Sequence, residues 1–113
     1  MIAPEDFFAL LADQTRLRCL ILLRAEGRLC VCELGHALEV SQPKISRHLA
    51  RLRACGVVVD ERRGQWVHYR LADDLPDWVE AVIDAAARAG APEPGAGQSD
   101  RQRLAAMPER PNL

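Results

Sequence analysis

A chain of 113 residues with 49% hydrophobic and 27% charged content has room for one compact domain with a modest core, and not for two. Unbroken apolar runs such as Phe7 to Ala12 and Cys19 to Leu23 are too short to cross a bilayer, and the opening "MIAPEDFFALLADQ" lacks the basic start and apolar stretch of a secretion signal, so a soluble cytoplasmic protein with no membrane partner is expected. Net charge is −1, yet residues 42–70 carry Lys44, Arg47, Arg51, Arg53, Arg62, Arg63 and Arg70 against only Asp60 and Glu61, a local balance of +5 that leaves −6 for the rest and suits a polyanion-binding surface.

Phe7, Phe8, Leu10 and Leu11 recur at helical spacing and predict a first helix over Ala3 to Asp13. Thr15 is the expected cap of a second helix, which runs to about Ala25 before Gly27 and reads as the central core helix through Leu17, Leu20 and Ile21 on one face, with Cys19, Leu22 and Leu23 around it. A short helix follows over about Val31 to Leu38. After "EVS", another helix opens with Ser41 as N-cap and Pro43 in its first turn, and it stops at Gly56. "VVVDER" and "WVHYRL" flank the turn "RGQ" and predict a β-hairpin. Asp73 or Asp74 is expected to open a last helix, with Pro76 near its first turn and Val79, Val82, Ile83 and Ala86 as its stripe, ending near Ala89. Residues 1–89 thus form one domain, and 90–113, rich in Gly, Pro and polar residues, a disordered C-terminal tail dispensable for folding.

Helices joined by a tight turn and followed by a hairpin are the order of a winged helix-turn-helix, a mostly α fold with a β-hairpin wing. In the helix from Gln42, the residues Ile45, Leu49 and Leu52 share one face, while Lys44, Arg47 and Arg51 cluster on another beside His48. One face is built to pack and the other is free for a DNA groove. Gln42, Lys44, Ser46, Arg47, His48 and Arg51 are the candidate contacts to bases and phosphates, joined by Arg62 and Arg63 at the hairpin tip. Trp66 and Tyr69 are expected to pack the wing, because duplex DNA keeps its bases stacked. Apolar faces at both chain ends, Phe7, Phe8 and Leu11 with Val79, Val82 and Ile83, predict a homodimer, and hence an inverted-repeat operator.

"LADQTRLRCLILL", "LCVCELGHAL", "SQPKISRHLARLRACGVV" and "GQWVHYRL" together resemble the ArsR-SmtB family of metal-sensing repressors over about residues 5 to 89. The "CVC" stretch is similar to the arsenic-responsive branch of that family. The resemblance implies a repressor that leaves its operator when trivalent arsenic or antimony binds Cys30 and Cys32, with no permanent cofactor and no enzymatic activity. The arsenic-responsive pattern has a third cysteine five residues after the first, where this chain has Gly35, so the third ligand is open.

Four cysteines in a reducing compartment argue against a disulfide scaffold. A helix N-terminus lowers thiol pKa, so Cys30 and Cys32 are expected to be reactive there; on an ideal helix, residues two apart point about 200° from each other, so gripping one atom should distort the first turn. Soft thiolates select soft ions. Cys19 reads as a core residue and Cys55 as inert, His36 as a surface residue, and Asp84 lacks a His partner at helical spacing for a zinc site. Two other readings stay open: a winged-helix regulator responding to thiol oxidation, and a thiol redox protein using the Cys-x-Cys pair, for which no catalytic partner is visible.

Overall fold

The computed structural model describes residues 2–90 and 99–111. In chain order they form α1 (Pro4–Leu11), α2 (Gln14–Glu26), β1 (Arg28–Cys30), α3 (Val31–Leu38), α4 (Gln42–Ala54), β2 (Val58–Arg63), β3 (Trp66–Leu71), α5 (Asp77–Ala89) and α6 (Asp100–Ala105). The strands make one antiparallel sheet in the order β1-β3-β2.

The predicted winged helix-turn-helix is present. α2 is the core helix, with Cys19, Leu20, Leu22 and Leu23 all at 1% exposure or less; Leu17 and Ile21 are half-buried. Its cap is Asp13 rather than Thr15: the Asp13 carboxylate accepts the Arg16 N–H at 3.0 Å, whereas Thr15 is already buried inside the helix. Ser41 holds the N-cap position of α4, but its side chain makes no capping hydrogen bond. At the other end of α4, the Val57 N–H reaches the Leu52 carbonyl (3.1 Å) and the Gly56 N–H reaches Arg53 (3.0 Å), a Schellman stop that needs Gly56 at φ 81°. α5 begins at Asp77 behind Pro76, later than expected, because Ala72 and Leu75 are used as buried packing between β3 and the helix and Asp73 pairs with Arg70.

Two elements depart from the sequence expectation. β1 is a three-residue strand that pairs with β3 and widens the hairpin to a three-stranded sheet. Residues 99–111, expected to be disordered tail, instead carry α6, whose Leu104 is 1% exposed within the core cluster and whose neighbour Met107 packs against it. Arg18 holds Asp100 at 2.7 Å, Arg101 holds Glu26 at 2.9 Å, and Arg103 donates to the Ala37 carbonyl at 2.6 Å. The rest of the expected tail, 91–98 and 112–113, lies outside the described residues.

The apolar faces assigned to a dimer are partly consumed inside the chain. Phe7, Val79 and Ile83 are fully buried, and Phe7 meets Trp78 edge-on at 5.5 Å. Phe8, 52% exposed, and the half-buried Leu11, Trp78 and Val82 remain at the surface.

Candidate functional site

The helix-turn-helix is α3, the turn at Glu39–Ser41, and α4. Ile45, Leu49 and Leu52 are completely buried, which fixes the rotation of α4 and turns its other face outward. On that face Gln42, Lys44, Ser46, Arg47 and Arg51 are exposed, and none of their side chains makes a hydrogen bond or ion pair among the described residues. Cations without internal partners keep their charge available for a polyanion.

His48 is not among them. Its Nδ1 lies 3.3 Å from an Arg16 guanidinium nitrogen and its Nε2 lies 3.8 Å from Asp13, so it ties α4 to the corner between α1 and α2. Burial lowers its pKa, against the opposing pull of Asp13. Arg16 completes the corner by donating to the Leu10 carbonyl at 2.8 Å. This polar knot has no periodic signature in the sequence.

At the wing, Gly64 at φ 60° forms the tight turn between β2 and β3. Arg62 is exposed and unpaired among the described residues, while Arg63 is held by Glu61 at 3.2 Å. Trp66 stays 37% exposed, whereas Tyr69 packs against the core; Arg70 is engaged by Asp73 and Glu61.

Cys30 and Cys32 lie where β1 becomes α3, and their setting differs from the expected one. Cys30 is the N-cap, with extended backbone (φ −86°, ψ 168°), and only Cys32 is helical. The ideal-helix divergence of about 200° therefore does not apply, and the two thiols lie near enough to interact. Nor is Cys30 activated. Burial in the first place, and then the neighbouring Cys32 thiol, push its pKa up to about 12, overriding the helix terminus. It is 2% exposed; Cys32 is half-buried and gives the pair its access.

Glu33, 3% exposed, closes this turn: one carboxylate oxygen accepts the Cys30 N–H at 3.0 Å and the other takes the Arg110 guanidinium at 2.6 Å. Arg110 comes from the C-terminal segment, so the segment expected to be a free tail reaches the thiol site. The capping box Ser99-x-x-Gln102 ahead of Leu104 was the sequence signal for α6. Gly35 is buried, and a Cβ there would come 3.0 Å from the Val40 carbonyl oxygen, so this position faces the helix-turn-helix turn.

Cys19 is buried in the core, where desolvation raises its pKa to about 12, and Cys55 is half-buried at the end of α4. Among the described residues, no three His, Cys, Asp or Glu side chains are gathered as a metal site. His36 is exposed, and Asp84 accepts from Arg24 at 2.9 Å.

Residues 13–59 match the family described as "Bacterial regulatory protein, arsR family". The arsenic resistance transcriptional regulator ArsR1 of Pseudomonas putida is 51% identical over 115 residues, spanning 98% of this chain and 84% of the relative. The arsenical resistance operon repressor of Escherichia coli is 52% identical over 87 residues, spanning 77% and 74%. Among solved structures, HlyU from Vibrio cholerae superposes with a TM-score of 0.68 at 33% identity over 77% of this chain and 90% of its own. The AntR antimony-specific transcriptional repressor gives 0.62 at 31% identity over 71% and 69%.

Proposed function

The chain belongs to the arsR family of bacterial regulatory proteins, and from that membership and the site geometry we propose that it is a homodimeric repressor which releases an inverted-repeat operator when trivalent arsenic or antimony binds Cys30 and Cys32. As a member of this family it is a DNA-binding transcription regulator and not an enzyme. The observation that carries the effector assignment is the placement of the thiol pair: two neighbouring sulfurs where β1 becomes α3, on the N-cap and in the first turn of the helix that packs on α4.

Operator binding falls to the exposed side of α4, with Arg47, Lys44 and Gln42 at its N-terminal half, and to Arg62 and Arg63 on the wing. Phe8, Leu11 and Val82 supply the apolar surface that a second copy covers, which sets half-sites about one or more helical turns of about 34 Å apart. The effector works on the other side of α3. Drawing Cys30 and Cys32 onto one atom changes the backbone at the N-cap, pulls on the Glu33 contacts, and shifts α3 against α4. A ligand drives release only by binding the DNA-free arrangement more tightly, and a closed, hydrogen-bonded turn that must rearrange provides that difference.

The test is anisotropy of a labelled operator, selected from a random duplex library, titrated with arsenite, antimonite, zinc and peroxide. Arsenite or antimonite should release the DNA; Cys30→Ser and Cys32→Ser should bind it as tightly as the wild type and fail to release it. Normal release by both variants would overturn the assignment. Release by peroxide with no response to either metalloid would favour a thiol-oxidation switch at the same pair.

A further inference from the structure

His68 is the buried polar side chain that neither the DNA surface nor the thiol pair has used. It is 1% exposed, and among the described residues neither ring nitrogen has a hydrogen-bond partner. Buried imidazole nitrogens are ordinarily paired, because an unpaired buried donor or acceptor forfeits its hydration without return. The strand register shows what lies beside it: β1 and β3 set His68 directly opposite Cys30, and opposed residues of an antiparallel pair present their side chains on one face of the sheet. On its other side stands Glu61 of β2, whose carboxylate is taken by Arg63 at 3.2 Å and Arg70 at 3.5 Å. The buried, unengaged imidazole therefore shares its row with a buried thiol.

We propose that His68 is the hydrogen-bond partner of the hydroxyl that arsenic retains when Cys30 and Cys32 bind arsenous acid, an inference that rests on the effector reading above. Arsenous acid carries three hydroxyls. Each thiol forms one As–S bond while its proton leaves with one hydroxide as water, and arsenic stays trivalent throughout. Two cysteines thus consume two hydroxyls and leave a single As–OH. Gly35 stands where the pattern has a third thiol to displace that last hydroxyl, and it faces the Val40 carbonyl oxygen. A hydroxyl enclosed beside Cys30 requires a partner. A neutral imidazole offers one donor and one acceptor nitrogen and can serve a hydroxyl in either sense. The orphaned histidine and the absent third cysteine are then two sides of one arrangement, a site for a two-thiolate hydroxo adduct.

Phenylarsenous acid separates this role from a structural one, since it loses both of its hydroxyls to two thiols and leaves none to be held. Calorimetric titration of the reduced full-length protein should show that His68→Leu weakens arsenite binding by about tenfold, the loss expected for one buried hydrogen bond, while phenylarsenous acid binds as in the wild type. His68→Asn, which retains a hydrogen-bonding group, should recover part of the loss. In the unaltered protein, the ring ¹⁵N resonance of His68 should move to a hydrogen-bonded position with arsenite and stay put with phenylarsenous acid; this readout does not depend on a variant folding. Equal losses for the two arsenicals, no loss for either, or an unmoved His68 resonance with arsenite would overturn the proposal. If the wild type binds neither arsenical, or if Cys30→Ser and Cys32→Ser bind both normally, the effector reading itself fails and the role of His68 falls with it.

Discussion

The outward face of α4 and the first turn of α3 stand one helix apart and are finished in opposite ways. Lys44, Arg47 and Arg51 are exposed and unpaired among the described residues, on a helix locked by three fully buried residues, so the surface proposed for DNA is formed without any rearrangement. At the start of α3, Cys30 is buried and protonated, its N–H is bonded to Glu33, and Glu33 is held by Arg110. One surface needs no rearrangement, and the other cannot be used without one. That contrast is what a ligand-released repressor requires: a default state competent for DNA, and an effector site whose occupation is coupled to a change in the fold.

The largest effect should come from breaking the closure of the thiol turn. Leu104→Ala, which removes a fully buried side chain from α6, should lower stability by about 2–5 kcal/mol in urea denaturation, and removing residues 99–113 should lower it further. In the truncated protein, Cys30 alkylation at pH 8 should accelerate; an unchanged rate would mean that the C-terminal segment does not guard the turn.

Next in size, Arg47→Ala should weaken specific DNA binding by about 1–3 kcal/mol while leaving the melting temperature nearly unchanged, since the side chain makes no hydrogen bond or ion pair among the described residues. On the wing, Arg62→Ala should reduce the slope of log affinity against log salt by about one, the loss of a single phosphate contact, and Arg63→Ala should do less because Glu61 already offsets its charge.

The smallest effect sharpens the comparison within α4 itself. Burial lowers the pKa of His48 from 6.5, so the unfolded chain takes up a proton there before the folded one does. Stability should therefore decline as pH falls below about 6.5, and His48→Gln should flatten that decline in denaturation curves taken between pH 7 and 5. An unchanged pH dependence would remove His48 from the α2–α4 corner.

What could be read along the chain is what depends on near neighbours. The burial of Ile45, Leu49 and Leu52, the bounds of α3, the glycine stops at Gly27 and Gly56, and the tight turn at Gly64 follow from helical period and backbone freedom within a few residues. They are enough to place a recognition helix and to put two cysteines ahead of it. The larger departures turn on distant partners. His48, expected on the groove side, also meets Arg16, 32 positions away; the tail looked free until Arg110 met Glu33 across 77 positions and Asp100 met Arg18 across 82. β1 exists only because β3 offers its edge, and the same pairing sets His68 opposite Cys30. Thiol reactivity followed this division: the local helix terminus predicts a lowered pKa, but the pKa is set by solvation, and solvation at Cys30 is withdrawn by chain segments remote in sequence that no spacing rule counts.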